Sequence, residues 1–150
     1  MKIKNLMTSK VVTLNSNTPY KEAARILYDN HISGAPVLND DGEIVGMLSE
    51  KDLYRVLFPF YKSFYEHPES YTDFENRENK VDEIKNNPIN KYMTTTEIYC
   101  TNPEDLAMKV GAIMLARGIH RAPVLENGKL VGLVSRRDIF RNVLKSHLGF

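Results

Sequence analysis

The sequence predicts an α/β (α+β) fold made of two copies of one β-α-β-β-α unit, because three stretches of the first half recur in the second. Ile32-Ser-Gly-Ala-Pro-Val-Leu38 returns as Ile119-His-Arg-Ala-Pro-Val-Leu125. Gly42-Glu-Ile-Val-Gly-Met-Leu-Ser-Glu-Lys-Asp52 returns as Gly128-Lys-Leu-Val-Gly-Leu-Val-Ser-Arg-Arg-Asp138. Upstream of both, Ile3-Lys-Asn-Leu-Met-Thr8 is answered by Ile89-Asn-Lys-Tyr-Met-Thr94. The first pair is offset by 87 positions and the second by 86, a one-residue difference that falls in the turn between them. The similarities arrive in the same order in both halves, which is the mark of an internal duplication.

Each copy has the same local grammar. A short apolar stretch, Val11-Val-Thr-Leu14 or Ile98-Tyr-Cys-Thr101, predicts a first strand and is followed by polar turn residues. Ala23, Ala24, Ile26 and Leu27, and in the second copy Val110, Ile113 and Met114, recur at three- and four-residue spacing and predict a helix with one apolar stripe. Ala-Pro-Val-Leu then opens a strand at a proline, where a missing N–H does least harm. Asp41-Gly42 and Asn127-Gly128 supply hairpin turns leading into the strands Ile44–Leu48 and Leu130–Val134. Ser49 and Ser135 stand as N-caps before a second helix, each with an Asp three residues on.

Composition narrows the function. The chain has 150 residues, 42% hydrophobic and 26% charged, as expected of a soluble globular protein. Twenty basic against nineteen acidic residues leave a net charge of +1, which argues against a nucleic-acid binder that depends on many phosphate contacts. One cysteine, Cys100, excludes an intramolecular disulfide and a multi-cysteine zinc site. No apolar run reaches the ~18 residues of a membrane span, and the N-terminus lacks the apolar core of a secretory signal. The expected compartment is the cytoplasm, with no membrane partner. His31, His67, His120 and His147 lack metal-ligand spacing, and no nucleophile elbow, Walker loop or dinucleotide fingerprint occurs.

The element order, Ala-Pro-Val, and Gly-x-x-Ser-x-x-Asp in both halves resemble a tandem pair of CBS domains, or Bateman module. The resemblance covers residues 3–57 and 89–145. It implies two repeats, 1–57 and 89–150, packed about a pseudo-two-fold axis and separated by an insert, 58–88. It also implies two clefts able to take adenosine-containing ligands, and a homodimer formed through the helices.

Ser135 and Asp138 are the first candidate ligand residues. A helix start leaves N–H groups unpaired and carries partial positive charge, which suits a phosphate. By resemblance Ser135 lies near phosphate and Asp138 on ribose; the alternative is that the pair only caps the helix. Where the first copy has Ser33-Gly34, the second has His120-Arg121, a basic pair that in similar proteins reaches phosphate. The favoured cleft thus comprises His120, Ser135, Arg137 and Asp138. The opposite copy would supply an apolar slot for the base, from Val11, Val12, Ile32, Ser33, Gly34 and Ala35. A second, weaker cleft would combine Ser49, Lys51 and Asp52 with Ile98, Tyr99, Ile119, Arg121 and Ala122.

The insert holds Phe58, Phe60, Tyr61, Phe64, Tyr65, Tyr71 and Phe74, half of the chain's fourteen aromatics. Such content predicts order, with a short amphipathic helix through Val81 and Ile84, and the aromatics either cover the tandem domain or offer a partner surface. Three functions follow. The first is a non-catalytic regulatory module that binds AMP, ADP or ATP in preference to S-adenosylmethionine, requires no cofactor or metal, and signals to an unidentified partner in trans. The second is a ligand-free interaction scaffold. The third is an enzyme acting on a nucleotide.

Overall fold

A computed structural model describes residues 1–58, 74–96 and 98–150. The strands are β1 (Leu14–Asn15), β2 (Gly34–Leu38), β3 (Ile44–Ser49), β4 (Arg121–Glu126) and β5 (Lys129–Ser135). The helices are α1 (Tyr20–Asp29), α2 (Glu50–Arg55), α3 (Phe74–Ile84), α4 (Ala107–Arg117) and α5 (Arg136–Leu148). Two compact units result. The first comprises Met1–Val12, Asp41–Ile44 and Glu97–Phe150, and the second Thr13–Asp40 and Val45–Thr96.

In the second unit the strand order is β1-β2-β3, with β1 parallel to β2 in the register Leu14↔Val37 and Asn15↔Leu38. Ala35, Val37 and Leu48 of the sheet pack with Tyr20, Ala23 and Leu27 of α1 and with Leu53 of α2. Ile84 of α3 and Ile89 complete this core with the half-buried Val81 against it, so the predicted insert helix exists and packs through Val81 and Ile84. The Tyr20 hydroxyl donates to the Leu53 carbonyl at 2.7 Å, satisfying the one polar atom that this buried side chain carries. Most of the insert's aromatics, those from 60 to 71, lie outside the described residues.

In the first unit β4 and β5 form an antiparallel hairpin, Ala122 opposite Val134 and Pro123 opposite Leu133. Its two-residue turn has Asn127 at φ 52° and Gly128 at φ 77°, the paired positive values that a tight hairpin between twisted strands needs. Ala122, Val124 and Val134 pack on Ala107, Val110 and Met114 of α4 and Ile139 of α5.

The predicted first strands are narrower than the sequence suggests. The first is only Leu14–Asn15, and in the second copy a single parallel bridge, Thr101↔Val124, takes its place. Val11, Val12, Ile98, Tyr99 and Cys100 are half-buried and belong to no strand. β-branched and aromatic residues report half-burial on an extended chain, and they do not specify that a ladder partner lies alongside.

The leading segment of each repeat pads the hairpin of the other. Thr8 exchanges backbone hydrogen bonds with Leu133 at 2.8 and 3.0 Å, and Ile3 is fully buried in the core beside α4. In the second unit Thr94 exchanges bonds with Met47, both at 2.9 Å. A glycine permits each close approach: a Cβ on Gly132 would stand 2.5 Å from Met7 Sδ, and one on Gly46 2.7 Å from Met93 Sδ.

Candidate functional site

Both repeats build a helix start in the same way. The serine at the end of the returning strand has extended backbone and caps the helix: Ser49 Oγ accepts from the Asp52 amide at 3.3 Å, and Ser135 Oγ from the Asp138 amide at 3.0 Å. A carbonyl from the loop before β2 or β4 is tied to the first helical residue. The Glu50 amide donates to Ser33 O, and the Arg136 amide to His120 O, each at 2.9 Å. The Ser33-Gly34 and His120-Arg121 positions are therefore held beside their serine–aspartate pairs by main-chain bonds.

The carboxylates then diverge. Asp52 is 7% exposed and both its oxygens are engaged. Its Oδ2 accepts from the Ser49 amide at 2.9 Å and from Ser49 Oγ at 3.1 Å, closing a capping box. Its Oδ1 accepts from Thr94 Oγ1 at 3.3 Å and Arg55 Nη1 at 3.4 Å. Asp138 is half-buried; its Oδ2 accepts from Ser135 Oγ at 2.7 Å, and no described residue donates to its Oδ1. An oxygen with open lone pairs in a groove can accept from a ligand hydroxyl; the filled carboxylate of Asp52 cannot do so without giving up a bond.

Around Asp138 lies an open groove of about 530 Å³ lined by His120, Arg121, Ser135, Arg136, Arg137, Asp138, Phe140 and Arg141. One carboxylate faces four guanidinium groups and an imidazole. Arg136 Nη2 lies 3.1 Å from His120 Nδ1. A guanidinium only donates, so in this contact Nδ1 is placed as the acceptor. In the second unit a groove of about 460 Å³ is lined by Asp52, Arg55, Val56, Tyr92, Met93 and Thr94 to Thr96, with one cation, and that cation is paired to Asp52.

Of the residues named from the sequence for the favoured cleft, His120, Ser135, Arg137 and Asp138 line one groove in the first unit. Val11 and Val12 belong to that unit, whereas Ile32, Ser33, Gly34 and Ala35 belong to the second, with Gly34 and Ala35 buried at the start of β2. Of the weaker cleft, Arg121 lines the His120 groove. Ser49 and Asp52 meet in the capping box and Lys51 is exposed. Ile98, Tyr99, Ile119 and Ala122 lie in the first unit, where the Arg117 guanidinium sits 5.6 Å from the Tyr99 ring centre. Arg136, which adds charge beside Ser135 in the sequence, lines the groove, as do Phe140 and Arg141, which the sequence reading does not name. The signal for Arg141 is present there, since Ser-x-x-Asp continues as Ser-x-x-Asp-x-x-Arg in both copies, at Arg55 and Arg141.

Burial pushes the Cys100 thiol above its ordinary pKa, which keeps it protonated and a poor nucleophile. Among the described residues no group of three or more His, Cys, Asp or Glu side chains is placed to hold a metal ion, and no helix is long and apolar enough to cross a membrane.

Comparison with known proteins adds the following. The family model described as CBS domain matches twice, at residues 3–59 and 89–145. Protein MJ1225 of Methanocaldococcus jannaschii is 27% identical over 139 residues, which is 93% of this chain and 41% of that protein, so the chain spans less than half of this relative. Among solved structures, CBSX2 in complex with AMP is similar with a TM-score of 0.71 and 20% identity, covering 97% of this chain and 98% of that one. The CBS domain pair of protein MJ0100, in complex with 5-methylthioadenosine and S-adenosyl-L-methionine, is similar with a TM-score of 0.70, 20% identity and the same coverage. At these identities the structural likeness speaks for the fold.

Proposed function

The chain belongs to the CBS domain family, and on that premise we propose that it is a non-catalytic regulatory module that binds an adenine nucleotide and signals to a partner protein in trans. The observation that carries this reading is the asymmetry of the two carboxylates. Asp138 presents an open oxygen in a groove rich in guanidinium groups, while Asp52 is saturated. The open oxygen suits a ribose hydroxyl, and Ser135, Arg136 and Arg137 at the start of α5 suit a phosphate. One nucleotide per chain follows, held in the first unit. The neighbours solved with AMP and with S-adenosylmethionine support an adenosine-containing ligand, and the cationic lining favours the phosphorylated kind.

A scaffold role has its own observation. Met108 and Leu115 of α4 and Leu144 and Leu148 of α5 are each at least half exposed, an apolar helical surface of the kind that a homodimer contact would cover.

The test is calorimetric titration of nucleotide-stripped protein with AMP, ADP, ATP and S-adenosylmethionine, beside Asp138→Ala. The expected result is saturable binding of a nucleotide at one site per chain, weakened at least tenfold by the substitution with the fold intact. Absence of binding by all four ligands would refute the nucleotide reading and leave the scaffold.

A further inference from the structure

We infer that Arg141 makes the Asp138 groove selective for the number of phosphates, so that it holds nucleoside di- and triphosphates more tightly than the monophosphate; this rests on the nucleotide reading proposed above. The two repeats supply an internal comparison, because each carries an arginine three residues after its aspartate. In the second unit that arginine turns back on its own repeat, with Arg55 Nη1 3.4 Å from Asp52 Oδ1. In the first unit the equivalent Arg141 makes no ion pair with any described residue, and its side chain is exposed.

Arg141 and Asp138 also line a second, adjoining groove of about 540 Å³, bounded by Asn142, Leu144, Lys145 and the terminal Phe150. The site is therefore not closed at Asp138 but continues along α5. Arg137 and Arg141 are four residues apart, so they lie on one face a helical turn from each other, about 6 Å along the axis. A single phosphate held at the helix start by Ser135, Arg136 and Arg137 leaves Arg141 unused. Each further phosphate extends the ligand along that face and adds negative charge where the next guanidinium waits, and a guanidinium can take two phosphate oxygens at once. Asp52 and Arg55 cannot act in this way, because they satisfy each other.

The test titrates the full chain, stripped of nucleotide, with AMP, ADP and ATP in buffer free of divalent cations, beside Arg141→Gln and Lys109→Gln. Lys109 is an exposed cation of α4 that lines neither groove and reports on net charge alone. The wild-type chain is expected to bind ATP roughly tenfold or more tightly than AMP, with ADP between them. Arg141→Gln is expected to bring the ATP-to-AMP ratio close to one, and Lys109→Gln to preserve it. Equal affinity of the wild-type chain for AMP and ATP would overturn the inference and leave the nucleotide reading standing. A ratio that survives Arg141→Gln, or that falls as far in Lys109→Gln, would have the same consequence. Failure of all three nucleotides to bind would overturn both.

Discussion

Asp52 and Asp138 occupy the same position in two copies of one sequence pattern, yet their hydrogen-bond surroundings differ. The difference traces to their neighbours. Thr94 Oγ1 and Arg55 fill the outer oxygen of Asp52, and Ser49 fills the inner one twice. Among the described residues Asp138 has only Ser135 as a side-chain partner. Removing a buried carboxylate that accepts several bonds leaves donors unsatisfied, which costs about 2–3 kcal/mol, whereas losing a half-exposed helix cap costs about 1 kcal/mol or less. Asp52→Ala should therefore lower the unfolding free energy well beyond Asp138→Ala, while nucleotide affinity responds in the opposite order. Denaturant unfolding of both variants beside the wild type measures the first half of this; equal destabilisation would show that the Asp52 network is not structural. The sequence shows both Ser-x-x-Asp patterns, but the closing of one carboxylate depends on Thr94, 42 residues away, and spacing within the pattern carries no trace of it.

At the level of elements, what the sequence makes legible is the periodic content. The stripe through Ala23, Ile26 and Leu27, the Asn-Gly turn and the serine caps each encode a local structure in a few adjacent residues, and each is present. The first strands and the padding segments are not legible in that way, because their partners are remote. Met7 and Gly132 illustrate the point. Each looks ordinary alone, and only their contact shows that the glycine is there to let the Met7 side chain and the Thr8 carbonyl approach β5. Gly132→Ala places a methyl 2.5 Å from Met7 Sδ and 3.1 Å from Thr8 O, so the Met7 side chain must turn aside and the Thr8 carbonyl must give by a few tenths of an ångström, which strains its bond to Leu133. Overpacking of this kind costs about 1–3 kcal/mol. Hydrogen exchange would report it as lost protection of the Thr8 and Leu133 amides, and unchanged protection there would rule out the proposed clash.

For the molecule as a whole, the near-neutral charge conceals a local excess. Helix α5 carries Arg136, Arg137, Arg141 and Lys145 against one carboxylate, and the groove around Asp138 draws on the first three. A sequence-wide balance thus bears only on a broad polyanion surface and says nothing against a confined phosphate site. The first unit is also closed electrostatically over a long span of chain. Lys2 and Lys4, the latter at 2.7 Å, donate to Glu104 and hold its carboxyl at a pKa of about 2, below its ordinary 4.5. A carboxyl whose pKa is lower in the folded state stabilises that state fully above its unfolded value and loses the effect as pH falls toward the folded one. The difference in melting temperature between wild type and Glu104→Gln should accordingly be present at neutral pH, shrink below about pH 4.5 and vanish near pH 2. A difference that does not change with pH would mean that the lysines do not act through this carboxylate. The same closure fixes an order of events during synthesis. The second unit draws its residues from Thr13 to Thr96 and can finish first, but Ile3 and Thr8 must wait for α4 and for Leu133 to be made. At translation rates of about 5–20 residues per second that wait is on the order of ten seconds, during which Ile3 and Thr8 lack the partners they have beside α4 and at Leu133. The unit that carries the Asp138 groove is then completed after the other one.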